Sequence, residues 1–392
     1  MRGVHSRKSV IVTTVVSLVV LLVLNVFLCV NWHDPMSYPT GDGARYATTV
    51  HDPTYVRQNP YVYRRMTPFI VRTLTHHTNW GENFDWGVVT VIGQTLAQWL
   101  FFLMCWRTFR LGRFMSVLGT LFLATTYWYT AFTYQSIWLV DPLTNVFMVG
   151  GLWLLFARRY GWFVVLVLIG MTNKESVLFL APLYPLFEIM RYRRWRAPQI
   201  WRAIGALLIV VAGYIVFQQY VLRHIGADTT NPLAGVQGTF VENVKFISNA
   251  SHHTLDQFYG GWFTVFYALW FVAIYAWYLA WRRDGMLDRV TVTGMYLLAI
   301  MTLTTFLVVD MPRAFSVLAP IIILTSTILL ASVRDSHRHY SIVLLFVYAA
   351  SNLEWIKDPA LLLAANGLML YVLLPELSMP THSSHVGKVI AY

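Results

Sequence analysis

Nine runs of mostly apolar residues recur along the chain, at roughly 10–31, 87–106, 114–133, 142–157, 203–222, 262–281, 290–309, 314–332 and 359–375. A helix needs about 17–25 apolar residues to cross the hydrocarbon core of a bilayer, and backbone surrounded by lipid has to satisfy its own hydrogen bonds. Repeated runs of this length predict an all-α fold, a polytopic transmembrane helical bundle. Composition excludes the soluble alternative, because the chain is 57% hydrophobic and 12% charged. A soluble domain carries about 25% charged residues, and half that charge cannot coat a globule of this size. The first run, Ser9 to Val30, is too long for a signal-peptide core and is read as a retained span.

Two regions are less regular. The short apolar runs Trp162–Met171 and Val177–Met190 flank Thr172-Asn-Lys-Glu-Ser176, and Ser341–Ala350 leads into Asn352-Leu-Glu-Trp-Ile-Lys-Asp358. Both predict helices broken at membrane depth, which is tolerated only against protein or a water-filled cavity. The expectation is about 12 crossings, broken helices included, in one transmembrane domain over 1–392 with no soluble domain.

The net charge of +11 does not indicate nucleic acid, since the basic residues sit in short clusters between apolar runs. With a cytoplasmic N-terminus, 19 of the 29 Lys and Arg fall on the inside while 13 of the 18 carboxylates fall outside. That asymmetry puts 191–202 in the cytoplasm and the two longest loops, 32–85 and 223–261, on the outer face. Cys29 and Cys105 both lie in apolar runs and support no disulfide framework.

Four stretches carry candidate chemistry. In Pro39-Thr-Gly-Asp-Gly-Ala-Arg-Tyr46, Gly41 and Gly43 allow a tight turn that aims Asp42 at the membrane face, as a general base or simply as the acid of a glycine-rich turn. The segment Asn59–Arg72 contains Pro68, a helix starter, and the outer loop holds Arg45, Arg57, Arg64, Arg65 and Arg72 against the inside bias. Those guanidinium groups suit either a phosphate or lipid headgroups and carboxylates. Lys174 and Glu175 lie at the helix break, facing a cavity or the interface. Asp310-Met-Pro-Arg313 is a tight turn offering either an anion site at a helix start or an internal ion pair. Asp141, before Pro142, reads as an ordinary acidic helix start. The pairs His76–His77 and His252–His253 have no metal-ligand spacing.

In the order of these features the chain resembles the GT-C superfamily of integral membrane glycosyltransferases. The resemblance rests on architecture, Asp42 in the first outer loop, Tyr63-Arg64 downstream, Lys174-Glu175 at a broken helix and the late Asp310/Arg313 turn. It implies transfer of a sugar, with inversion, from a polyprenyl-phosphate donor to an envelope glycan or glycolipid on the non-cytoplasmic side. Asp42 would be the base; Arg64, Arg313 and Lys174 would hold the donor phosphate. Arg45, Tyr46, Tyr63, Arg65, Glu175 and Asp310 would bind substrate. The resemblance implies no cofactor and no required metal. The partners are then the lipid-linked sugar, the acceptor and membrane lipid, in a bacterial inner membrane with the site facing the periplasm or outside. A lipid or polysaccharide transporter or flippase, a polysaccharide polymerase and a non-catalytic assembly subunit are the alternatives, since broken helices and buried charge also mark transporters.

Overall fold

Apolar side chains dominate both faces of the longest helices, so burial of a single stripe cannot explain their form. In α1 (Arg7–Trp32) the side chains of Val12, Val15, Val16, Val19 and Val23 are exposed while Leu21, Asn25 and Leu28 are buried. Water would penalise that outer face, and lipid would not. The computed structural model describes residues 7–33, 38–54, 61–193, 196–225, 263–267, 269–284, 288–304 and 311–332. All regular structure among them is helical.

After α1 the chain forms α2 (Gly41–His51), a 3-10 turn at Tyr61–Tyr63, α3 (Met66–His77) and α4 (Glu82–Leu103). Next come α5 (Gly112–Thr125), α6 (Phe132–Gln135), α7 (Asp141–Phe156), α8 (Tyr160–Gly170), α9 (Leu183–Tyr192) and α10 (Pro198–Ile225). The described part closes with α11 (Leu269–Asp284), α12 (Arg289–Thr304), α13 (Met311–Phe315) and α14 (Ala319–Ser332). The sequence-based span at 359–375, the broken region at 341–358, the outer loop beyond Ile225 and Asp310 lie outside the described residues.

Among the described residues, four helical stretches are long and apolar enough to cross a membrane: Val10–Trp32, Glu82–Thr108, Pro198–Val221 and Pro312–Ala331. Gly112–Thr125, Asp141–Phe156, Tyr160–Gly170 and Arg289–Thr304 are apolar but shorter. The 16 residues of α7 rise about 24 Å, less than a bilayer core of about 30 Å. The expected unbroken span at 114–133 is interrupted. Thr126 leaves the helix (φ −64°, ψ 119°), and a π turn at Tyr127–Ala131 precedes α6. The Thr126 and Thr130 hydroxyls donate to the carbonyls of Phe122 and Leu123, so threonines compete with the backbone ladder where the helix ends.

Helix α4 is the hub, packing against α1, α3, α5 and α7. Its crossing with α7 depends on Gly93, where an added Cβ would lie 3.0 Å from the Pro142 backbone. This close approach fixes the start of α7, and with it Asp141. The helices α7 and α8 form a hairpin, so Asp141 and the segment after Gly170 sit at one end and Arg158–Arg159 at the other. Arg110, Arg158 and Arg193 all adopt left-handed backbone where helices stop, at the basic end of their hairpins.

Candidate active site

The loop expected around Asp42 is a helix. Gly41 opens α2 with φ +52°, a conformation glycine adopts without steric cost. An added Cβ on Gly43 would lie 3.2 Å from the Trp138 Cβ, so the absence of a side chain there lets α2 lie flat on the segment before α7. Asp42 and Tyr46, four residues apart, share one face of α2, with Arg45 beside them. The glycines therefore serve helix start and close packing rather than a tight turn.

The helix break after α8 is pinned by Asn173, a fully buried side chain with every polar group engaged. Its Oδ1 accepts from the Thr67 backbone N–H (3.2 Å) and hydroxyl (2.5 Å), and its Nδ2 donates to the Val140 carbonyl and the Thr144 hydroxyl, both at 2.9 Å. The Thr172 carbonyl accepts from the N–H groups of Arg65 and Met66. These bonds clamp the break to the start of α3 on one side and the start of α7 on the other. Lys174, extended, and Glu175, first residue of a 3-10 turn, are thereby held against Asp141 of α7 and Arg64 before α3.

Three carboxylates and three cations then interlock. Arg313, from α13, donates through Nε and Nη2 to Asp141 Oδ2 at 2.9 and 2.6 Å, and through Nη1 to Asp42 Oδ2 at 2.7 Å. Lys174 Nζ donates to the other Asp141 oxygen at 2.5 Å. Arg64 grips Glu175 with Nε and Nη2, and its Nη1 donates to the Tyr46 hydroxyl at 2.7 Å. Tyr61 donates to Asp42 Oδ1 at 2.5 Å. Arg45 lies 3.6 Å from that same oxygen, with its guanidinium 4.3 Å above the Tyr61 ring. Pairs this buried are favourable only when their hydrogen bonds are well satisfied, as these are.

Exposure separates the members. Arg313, Lys174 and Asp141 are nearly closed off, while the Asp42 side chain is 28% exposed and that of Arg45 41%. Burial alone would raise the Asp42 pKa. The Arg313 charge, hydrogen bonds from Tyr61 and Arg313 and the Arg64 charge outweigh burial and hold the carboxyl below its ordinary value of 3.8. The Tyr61 hydroxyl moves up, through burial and through the hydrogen bond it gives Asp42. Asp42 is thus a carboxylate, ionised at neutral pH, at the partly exposed edge of a charged cluster. Buried cations stand behind it where they could stabilise anionic charge.

The structure brings together Asp42, Arg45, Tyr46, Arg64, Lys174, Glu175 and Arg313 from widely separated stretches of chain. Tyr63 is buried in the adjoining 3-10 turn. Arg65 donates to the Pro53 carbonyl at 2.6 Å and so braces the loop between α2 and α3. Asp141 overturns its reading as an ordinary helix start, since it accepts from both Lys174 and Arg313 at the centre of the cluster. Tyr61 and Asn173 also carry roles that sequence did not single out. Their signals are weak ones, a tyrosine beside an arginine-rich stretch and an asparagine next to a Lys-Glu pair at a helix break. Among the described residues, no group of three or more His, Cys, Asp or Glu is arranged to hold a metal ion. Comparison of the sequence with protein-family models gives no match, and comparison with curated proteins gives none.

Proposed function

We propose that this chain is an integral membrane glycosyltransferase of GT-C type. On this reading it has about 12 crossings, and it moves a sugar from a polyprenyl-phosphate donor to an envelope glycan or glycolipid on the non-cytoplasmic face. The observation that carries this reading is the partly exposed Asp42 carboxylate on α2, bonded to Arg313 of α13, with Arg64 bonded to Tyr46 one turn along the same helix. A base at the rim and buried cations behind it are what displacement of a phosphate leaving group requires.

In the proposed reaction, Asp42 takes the proton of an acceptor hydroxyl. The acceptor oxygen forms its bond to the anomeric carbon as the bond from that carbon to the phosphate oxygen breaks, with inversion. The departing lipid phosphate keeps the electron pair, and Arg313, Arg64 and Lys174 stabilise its charge. A guanidinium presents paired N–H donors to phosphate oxygens. Tyr46, Tyr63, Arg45, Arg65 and Glu175 shape the site around the substrates. The arrangement is stiff, because Asp141 and Glu175 hold the two arginines by two donors each. Stiffness matters here, since preorganised charge needs no reorientation during the reaction.

The deciding experiment supplies purified protein with a panel of labelled polyprenyl-phosphate sugars and measures release of free polyprenyl phosphate. Release that depends on Asp42 supports the reading. Binding of such lipids without cleavage by any member of the panel would favour a transporter instead.

A further inference from the structure

Arg313 and Arg64 are held in parallel ways with one difference. Each gives two nitrogens to one carboxylate, the buried Asp141 for Arg313 and the partly exposed Glu175 for Arg64, and each turns Nη1 toward α2. For Arg64 the group met on α2 is the neutral Tyr46 hydroxyl, whereas for Arg313 it is the charged Asp42. Arg313 therefore remains anchored by Asp141 whether or not Asp42 is bound to it.

Asp42 meanwhile has a partner on both oxygens: Tyr61 and Arg45 beside Oδ1, and Arg313 on Oδ2. A carboxylate so engaged is a poor proton acceptor, since every partner stabilises its charged form. Charge counting points to what relieves it. Asp42, Asp141 and Glu175 are balanced by Arg64, Lys174 and Arg313, and Arg45 brings a fourth positive charge at the exposed rim. The mouth of the site therefore suits one further anion.

We propose that a phosphate anion and Asp42 compete for the same donors, Nη1 of Arg313 and the guanidinium of Arg45, so that binding the anion releases the carboxylate. The anion enters beside Arg45, takes its place on Arg313, and leaves Asp42 attached to Tyr61 alone. The base is masked in the empty site and bared when the anion is present, which orders donor before acceptor. The ligand chemistry is a phosphate oxygen cluster, carried either by a lipid phosphate or by free phosphate. This inference rests on the proposed glycosyl transfer only in taking the anion to be the donor's phosphate.

The sign of one mutation tests it. With the full chain in phosphatidylcholine nanodiscs, binding of decyl phosphate is measured for wild type, Asp42→Asn and Arg45→Gln, with inorganic phosphate as competitor. Removing a competing carboxylate tightens binding, so Asp42→Asn is expected to bind at least about fivefold more tightly, and Arg45→Gln about tenfold more weakly. An Asp42→Asn protein that binds no tighter than wild type overturns the exchange. If that variant does not fold, Arg45→Gln decides, because its side chain is partly exposed on α2, and unchanged binding by it overturns the proposal equally. Inorganic phosphate competing as well as decyl phosphate supports exchange with free phosphate, and preference for decyl phosphate supports a lipid phosphate. Equal displacement from wild type and Arg45→Gln by phosphatidylglycerol placed in the nanodisc overturns it, since binding then ignores Arg45. The assay involves neither sugar nor turnover. Exchange without glycosyl transfer would sink the enzymatic reading alone, and transfer by a protein whose Asp42→Asn form binds more weakly would sink the exchange alone.

Discussion

Two buried polar regions of the molecule solve the same problem in opposite ways. Inside the α1–α4 pair, Asn25 Nδ2 donates to Gln98 Oε1 at 2.7 Å, Gln98 Nε2 donates back at 3.2 Å, and the Tyr134 hydroxyl donates to Asn25 Oδ1. All are neutral and fully buried, and they satisfy one another without counter-ions. At the end of the bundle under α2, formal charges are matched one against another and part of the group reaches the surface. Neutral amides cost little in an apolar interior once paired, whereas a buried charge needs both a partner and a full set of hydrogen bonds. The first arrangement joins helices. The second balances charge against charge and leaves Asp42, Glu175 and Arg45 partly open to the surface.

The contrast breaks first at Asp42. If the proposed glycosyl transfer holds, Asp42→Asn is expected to cut it by at least about a hundredfold, because general-base catalysis contributes typically 10²–10⁴ in rate. The variant should stay folded, with only a modest fall in unfolding temperature, because Asp42 is partly exposed. Near-normal turnover in a folded variant would make Asp42 another structural partner and move the search for the base to Glu175.

Asp141→Ala comes next. It leaves Arg313 and Lys174 buried with a shared partner gone, and breaking a buried pair typically costs 3–5 kcal/mol. Chemical unfolding in detergent should register a loss of about that size. A loss under about 1 kcal/mol, the scale of exposed pairs, would show that water already screens the cluster.

Gln98→Leu should act in the other direction on the two readouts. Interhelical hydrogen bonds in membrane proteins average about 0.6 kcal/mol and reach about 1.7, so stability should fall within that range while phosphate binding and turnover stay unchanged. A tenfold fall in turnover would mean the α1–α4 seam feeds the site.

The smallest expected effect is a flat pH response. The Asp42 carboxyl is held below its ordinary value of 3.8 in the folded protein. Stability from its contacts is therefore complete above that value and is lost only as pH falls through the depressed folded-state pKa. The difference in unfolding temperature between wild type and Asp42→Asn should stay constant from pH 7 to pH 5 and shrink only below 3.8. A change centred near neutral pH would show that burial, not Arg313, governs this carboxyl.

The amino-acid sequence by itself determined the helical class and most helix positions. Hydrophobic run length responds directly to the solvent around a helix, and α1, α4, α7 and α10 begin and end within a few residues of the apolar runs. It also exposed Asp42, Arg64, Lys174, Glu175 and Arg313, because charge placed against an apolar or charge-biased background is visible without coordinates. Tertiary structure decided their pairing. Asp141 looked like one more acidic helix start, and its partners are 33 and 172 residues away in sequence. Tyr61 and Asn173 are ordinary residues until α2, α3 and the break after α8 converge on them. Local composition records whether a residue is costly to bury. Which opposite charge offsets that cost depends on how helices cross, at contacts such as Gly93 with Pro142, and no local pattern encodes that crossing.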